Sequence, residues 1–120
     1  MIWIPLDLPD ILSGDWKLMK RSIRHWWQRR TRGWDDTETW CLNHSMAAWI
    51  IPRLRRFQQI NCILPEEFKT EAEWDAALDK MIRAMELFNR DWGWGMNEEE
   101  QQEFIEGINL FNEYWLRLWW

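Results

Sequence analysis

Cysteine is scarce in this sequence. There are two, Cys41 and Cys62, and no Cys-x-x-Cys pair. With only His25 and His44 beside them, the spacing cannot complete a structural zinc site. Both cysteines fall on one predicted helix or at its end, where twenty-one positions correspond to roughly 30 Å. That is too far for a disulfide, and they read as buried thiols of a cytosolic protein. No Gly-rich phosphate loop and no Gly-x-Ser-x-Gly elbow occurs, which removes the common nucleotide-loop and hydrolase signatures. The longest uncharged run, 39–52, is too short to span a bilayer and reads as a buried helix segment. The opening MIWIPLDLPD has no basic stretch, and Pro5 and Asp7 interrupt its apolar run, so it does not read as a signal peptide. No period-two pattern, internal repeat or low-complexity tract is present.

What the chain has in excess is tryptophan, 13 of 120 residues. The length predicts one domain over 1–120 with one core. Such a core absorbs part of the Trp content, and the remaining rings should line a groove, a pocket or a subunit interface. The net charge of −5 disfavours a protein built to coat nucleic acid. The charge is uneven, however: residues 1–60 hold ten Lys/Arg against six Asp/Glu, and residues 61–120 hold five against fourteen. That asymmetry, with the apolar tail Trp115, Leu116, Leu118, Trp119 and Trp120, predicts a homo-oligomer.

The periodicity predicts an all-α bundle of four main helices behind an extended arm over 1–12. Helix one spans about 15–31, with Ser13 or Asp15 near its N-cap. Its expected apolar face is Trp16, Met19, Ile23, Trp26 and Trp27, spaced three and four apart. No acidic residue lies between Trp16 and Trp34, and Gly33 is the expected stop. Helix two follows Trp34, capped by Asp35 or Asp36 with box spacing to Glu38. Its stripe is Trp40, Ala47, Ile51, Leu54 and Phe57, and Pro52 should kink it. Helix three opens with the box Thr70-x-x-Glu73 and carries Trp74, Leu78, Met81, Ile82, Met85 and Phe88. The turn DWGWGMN follows, and helix four opens with Asn97-x-x-Glu100, its stripe being Phe104, Ile108, Phe111, Trp115 and Leu118.

The chemistry concentrates at HWWQRRTRGWDDTETW, residues 25–40. Here Arg29, Arg30 and Arg32 end one helix, Trp34 sits in the turn, and Asp36 and Trp40 belong to the start of the next. Arginine forks bind phosphate, helix N-terminal amides favour anions, and Trp stacks a base. The competing reading is structural: the arginines pair with Asp35, Asp36 and Glu38, and the tryptophans are core. Arg53, beside the Pro52 bend, and His44, one turn after Trp40, complete the candidate ligand-binding set of Arg29, Arg30, Trp34, Asp36, Trp40, His44 and Arg53. Arg55 and Arg56 read as solvated. No catalytic residue, metal ligand or cofactor is assigned. Magnesium-dependent all-α pyrophosphatases pair Glu-x-x-Glu with a later Glu-x-x-Asp. Glu100-x-x-Glu103 is present here without that partner, so nucleotide hydrolysis ranks third.

GWDDTETWCLN, AAWIIPRLRRF and EAEWDAALDKMIRAMELF together resemble a set of small uncharacterised proteins of tailed phages and prophages. The matching positions are Gly33, Trp34, Asp36, Glu38, Thr39, Trp40, Leu42, Pro52, Arg53, Leu54, Trp74 and Asp75, over about the last three quarters of the chain. The pattern departs at Asn43, where an Asp is expected. The resemblance implies a phage accessory protein in the host cytoplasm and brings no activity with it. Two functions are expected from these residues. One is capture of a nucleotide-derived small molecule, such as a cyclic-nucleotide or ADP-ribose immune signal of the host. The alternative is a docking module that binds a host or phage protein through exposed Trp and Arg. No membrane or nucleic-acid partner is expected.

Overall fold

The computed structural model describes Gly14 and residues 16–120, and all of these lie in helices, turns and loops with no strand among them. The expected arm over 1–12 and the Ser13 or Asp15 cap lie outside the described residues. The helices are α1 (Trp16–Arg32), α2 (Thr37–Trp40), α3 (Leu42–Ile60), α4 (Glu71–Asp91) and α5 (Glu98–Glu113), with a 3-10 turn at Trp115–Arg117. The chain divides into two compact units, one ending at Leu42 and the other running from Asn43 to Trp120.

In the first unit α1 ends where the sequence predicts. Gly33 adopts φ 84° and its N–H donates to the Arg29 carbonyl at 2.9 Å, a left-handed stop that a side chain would strain. The face of α1 differs from expectation. Ser22 and His25 are buried and Leu18, Met19 and Trp26 half-buried, whereas Trp16, Ile23 and Trp27 are exposed. At 100° per residue those three lie roughly a third of a turn away from the buried set. The apolar residues form two stripes, and the smaller polar residues between Leu18 and Trp26 complete the inner one.

Helix two is not continuous. Cys41 leaves helical geometry at φ −118°, ψ 75°, which separates a single turn, α2, from α3. Neither Gly nor Pro marks the break. It removes Trp40 from the expected core stripe and leaves it 90% exposed. The stripe then starts at Ala47 and Leu54, both buried, with Ile51 and Phe57 half-buried. The two thiols are not buried as expected: Cys41 is half-buried at the break and Cys62 is exposed in the loop after α3.

The second unit packs α3, α4 and α5 around Leu54, Trp74, Ala77, Leu78, Met81 and Ile82. Thr70 caps α4 by accepting from the Glu73 N–H at 3.2 Å. Asn97 and Glu100 form the full reciprocal box at the start of α5, whereas at α4 only the Thr70 half of the expected box forms and the Glu73 carboxylate accepts from the Lys69 N–H at 3.1 Å instead. Arg55, expected to be solvated, pairs with Glu86 of α4. Across α4 and α5 run Lys80–Glu106 at 2.6 Å, Arg83–Glu103 at 3.0 Å and Arg90–Glu100 at 2.6 Å. Apart from the half-buried Glu100 these side chains are exposed, and the pairs set register more than they stabilise. Beyond α5, Arg117 pairs with Glu67 at 2.7 Å, which ties the C-terminal turn to the loop before α4.

Candidate functional site

Two places carry candidate chemistry, one in each unit.

The first is the α1–α2 junction. Asp35 is buried. One carboxylate oxygen accepts from the Thr37 N–H at 2.8 Å and from the Thr37 hydroxyl, and the other pairs with Arg29. Its own N–H donates to Glu38 Oε2 at 2.8 Å. The cap of α2 is therefore built on Asp35. Asp36 occupies the N-cap position but makes no side-chain cap bond. Burial alone would raise the Asp35 carboxyl. The hydrogen bonds from Thr37 and Arg29 outweigh it and hold the group below the ordinary aspartate range. Asp36 is held low by Gln28, whose side-chain amide donates at 2.8 Å, and then by Arg32 at 2.7 Å. Gln28 also accepts from the Asp36 N–H at 2.9 Å. The Arg32 guanidinium lies over the Trp34 ring, 3.7 Å from its centroid, and donates to the Trp34 carbonyl at 3.1 Å. The junction is thus a knot in which two arginines already hold two carboxylates. Of the expected set, Arg29, Trp34 and Asp36 are parts of this knot, while Arg30 and Trp40 are exposed residues of the same unit.

His44 and Arg53 belong to the second unit. The His44 imidazole stacks on the Trp92 indole with centroids 3.8 Å apart and planes 15° from parallel. Trp92 itself stands at φ 62°, a left-handed angle that is costly for a bulky residue. Arg53 folds back along α3: it donates to the Trp49 carbonyl at 2.8 Å, and its guanidinium lies 4.1 Å from the Trp49 ring centroid.

The second place escapes sequence reasoning. Between α3, α4 and α5 opens a cleft of about 520 Å³. Asn43, Met46, Ala47, Trp49 and Ile50 line it from α3, Met85 and Phe88 from α4, and Phe104, Ile108, Phe111 and Trp115 from α5 and the turn beyond. Asn43 is the one polar residue among these eleven. Met46, Trp49 and Trp115 are exposed, and Phe88 also meets the ring of His44 at 6.5 Å. The predicted stripes of α4 and α5 supply most of this wall. Their periodicity was legible, but periodicity does not distinguish a stripe that fills a core from one that walls an open cleft. An apolar concavity of this size is in the range of ligand and peptide sites. Lacking a cation among its lining residues, it would strand a phosphate.

Among the described residues no group of three or more His, Cys, Asp or Glu could hold a metal ion, and no helix is long and apolar enough to cross a membrane. In comparisons with family models, with curated proteins and with solved structures, no match to this chain is found.

Proposed function

We propose that the chain is a docking module, and that the cleft between α3, α4 and α5 takes the apolar side of a helix from a protein partner. The observation that carries this reading is the lining: ten of eleven residues are apolar, with Met46, Trp49 and Trp115 exposed at it. Apolar grooves of this kind accept helices through anchors at i, i+3 or i+4, and i+7. Exposed Arg53, lying over Trp49, gives the partner its polarity. A carboxylate beside the apolar row meets this guanidinium, and Trp and Arg are the residue types that dominate binding energies at interfaces. The resemblance to phage proteins suggests a host or phage protein as that partner, met in the host cytoplasm.

Selection of amphipathic helical peptides from a displayed library tests the reading. Binders should share an apolar row at helical spacing with an acidic residue beside it. Met46→Glu should weaken them at least tenfold, because a carboxylate on that wall loses its water. A selection without such a consensus, or peptides indifferent to Met46→Glu, would remove the docking reading.

A second reading keeps a nucleotide-derived ligand at the α1–α2 junction, captured by an oligomer. It is favoured by the Arg32 guanidinium lying over Trp34, a cation–ring platform of the type on which a base can stack. The ligand phosphates must then displace Asp35 or Asp36 from Arg29 or Arg32. Calorimetry with cyclic dinucleotides and ADP-ribose derivatives tests this. Binding below millimolar that Arg30→Ala weakens, without a change in melting temperature, supports it, and silence across the panel removes it.

A further inference from the structure

The outer stripe of α1 belongs to neither place described above. Trp16, Ile23 and Trp27 are 62%, 45% and 60% exposed. Their offsets of seven and eleven positions put them within about 40° of one another on a helix. Cations border this stripe. Lys20 reaches over the Trp16 ring, its Nζ 5.4 Å from the centroid. Lys17, Lys20, Arg21 and Arg24 together line a shallow depression of about 500 Å³. On the other side of the stripe, one turn beyond Trp26, stands exposed Arg30. Seven Lys/Arg and no acidic residue occur over the seventeen residues of α1.

We propose that this face of α1 binds a single-stranded nucleic acid, with bases stacked on Trp16 and Trp27 and phosphates held by Lys20, Arg24 and Arg30. The pattern fits a strand better than the alternatives. A bilayer surface calls for a broad apolar face, and here the apolar stripe is about three side chains long with Lys20 set against it. Duplex binding is driven by phosphate contacts with bases already stacked on each other, which leaves two exposed indoles without a role. A single strand uses both features, because unstacked bases offer ring faces and the backbone offers charge. The separation of Trp16 and Trp27 along the helix, roughly 16 Å, accommodates several nucleotides. The overall negative charge does not oppose this locally. The acidic surplus belongs to the segment from Asn43 onward, with eight Lys/Arg against fourteen Asp/Glu.

Fluorescence anisotropy with a labelled oligothymidylate on the full chain tests the proposal. Binding is expected at low salt, with a log–log salt slope of about −2 for three phosphate contacts, so that affinity falls about fifteenfold from roughly 50 to 200 mM. Trp16→Ala with Trp27→Ala should weaken binding tenfold or more and leave the slope unchanged, since stacking releases no counterions. Lys20→Gln with Arg24→Gln should flatten the slope by more than half. This second pair keeps the test open if the Trp variants lower the melting temperature. The proposal falls if the oligonucleotide is not bound below about 100 μM at low salt. It also falls if the Trp variants bind like the parent, which would leave a charge-only patch, or if vesicles containing phosphatidylserine bind more tightly than the strand.

Discussion

Gly107 on α5 and Ala84 on α4 mark a close approach of the two helices. A Cβ built on Gly107 would lie 2.5 Å from the Ala84 Cβ, and nearer still to the carbonyl oxygen of Lys80. Backbone cannot retreat as a flexible side chain can, so this close approach requires glycine. Gly107 is buried inside a helix, where glycine by itself lowers helix stability by about 1 kcal/mol relative to alanine. The close packing outweighs that propensity. Gly107→Ala should therefore destabilise the second unit by roughly 1–3 kcal/mol despite its better helix propensity. A denaturant melt in which the alanine variant is the more stable would refute the close contact. Because the cleft lies between these helices and α3, the same variant should also weaken any peptide that the cleft binds.

Trp74 and Trp40 separate core tryptophan from surface tryptophan. Trp74 is 3% exposed, packed by Phe68 at 4.9 Å and by Tyr114 at 6.0 Å edge-on. Trp74→Ala should cost roughly 3–5 kcal/mol. Trp40→Ala should change stability by less than about 0.5 kcal/mol, as a surface substitution does. Equal losses in urea melts would place Trp40 inside.

Asp35 gives the first unit an acid limit. Its carboxyl is held below the ordinary aspartate range. A group whose folded value lies below its unfolded value stabilises the fold above the unfolded pKa, and that contribution disappears as pH falls through the folded value. The Thr37 amide resonance, bonded to Asp35, should titrate with a midpoint below that of an unstructured aspartate. Asp35→Ala should lose roughly 2 kcal/mol, the scale of hydrogen bonds to a charged group. Asp36→Ala should lose less, since its side chain does not cap the helix. A Thr37 midpoint at or above the ordinary range would overturn this account of the cap.

These residues also mark how far the sequence could be read. The starts of α4 and α5 were legible because Thr70 and Asn97 satisfy orphan N–H groups of their own helices, an interaction spanning three positions. The end of α1 was legible for a similar reason, since only a left-handed angle at Gly33 is required. The break at Cys41 was not, because no Gly or Pro produces it. The closeness at Gly107 was not, because its cause is a backbone on another helix. The arginine–aspartate knot could be foreseen as one of two readings, since its members lie within eight positions. The cleft could not, because its eleven lining residues come from three helices. Each was legible as apolar, but which side remains open depends on how the helices pack.

Trp92 ends α4 at φ 62° and ψ 19°, the position that glycine most often occupies after a helix. Left-handed geometry costs a residue with a Cβ roughly 1–2 kcal/mol. Against that cost stands the parallel stack of its indole on His44 at 3.8 Å. The two contributions can be measured separately. Trp92→Gly removes both the stack and the strain, whereas Trp92→Ala removes the stack and keeps the strain. The glycine variant should therefore be the more stable of the two by about 1 kcal/mol, although glycine leaves a freer unfolded chain. In His44→Ala, where the stack is already lost, replacing Trp92 with glycine should be close to neutral or stabilising. Thermal melts of these four proteins and the parent give the answer. If Trp92→Ala proves more stable than Trp92→Gly, the backbone at 92 is not held left-handed, and the His44 stack has another origin.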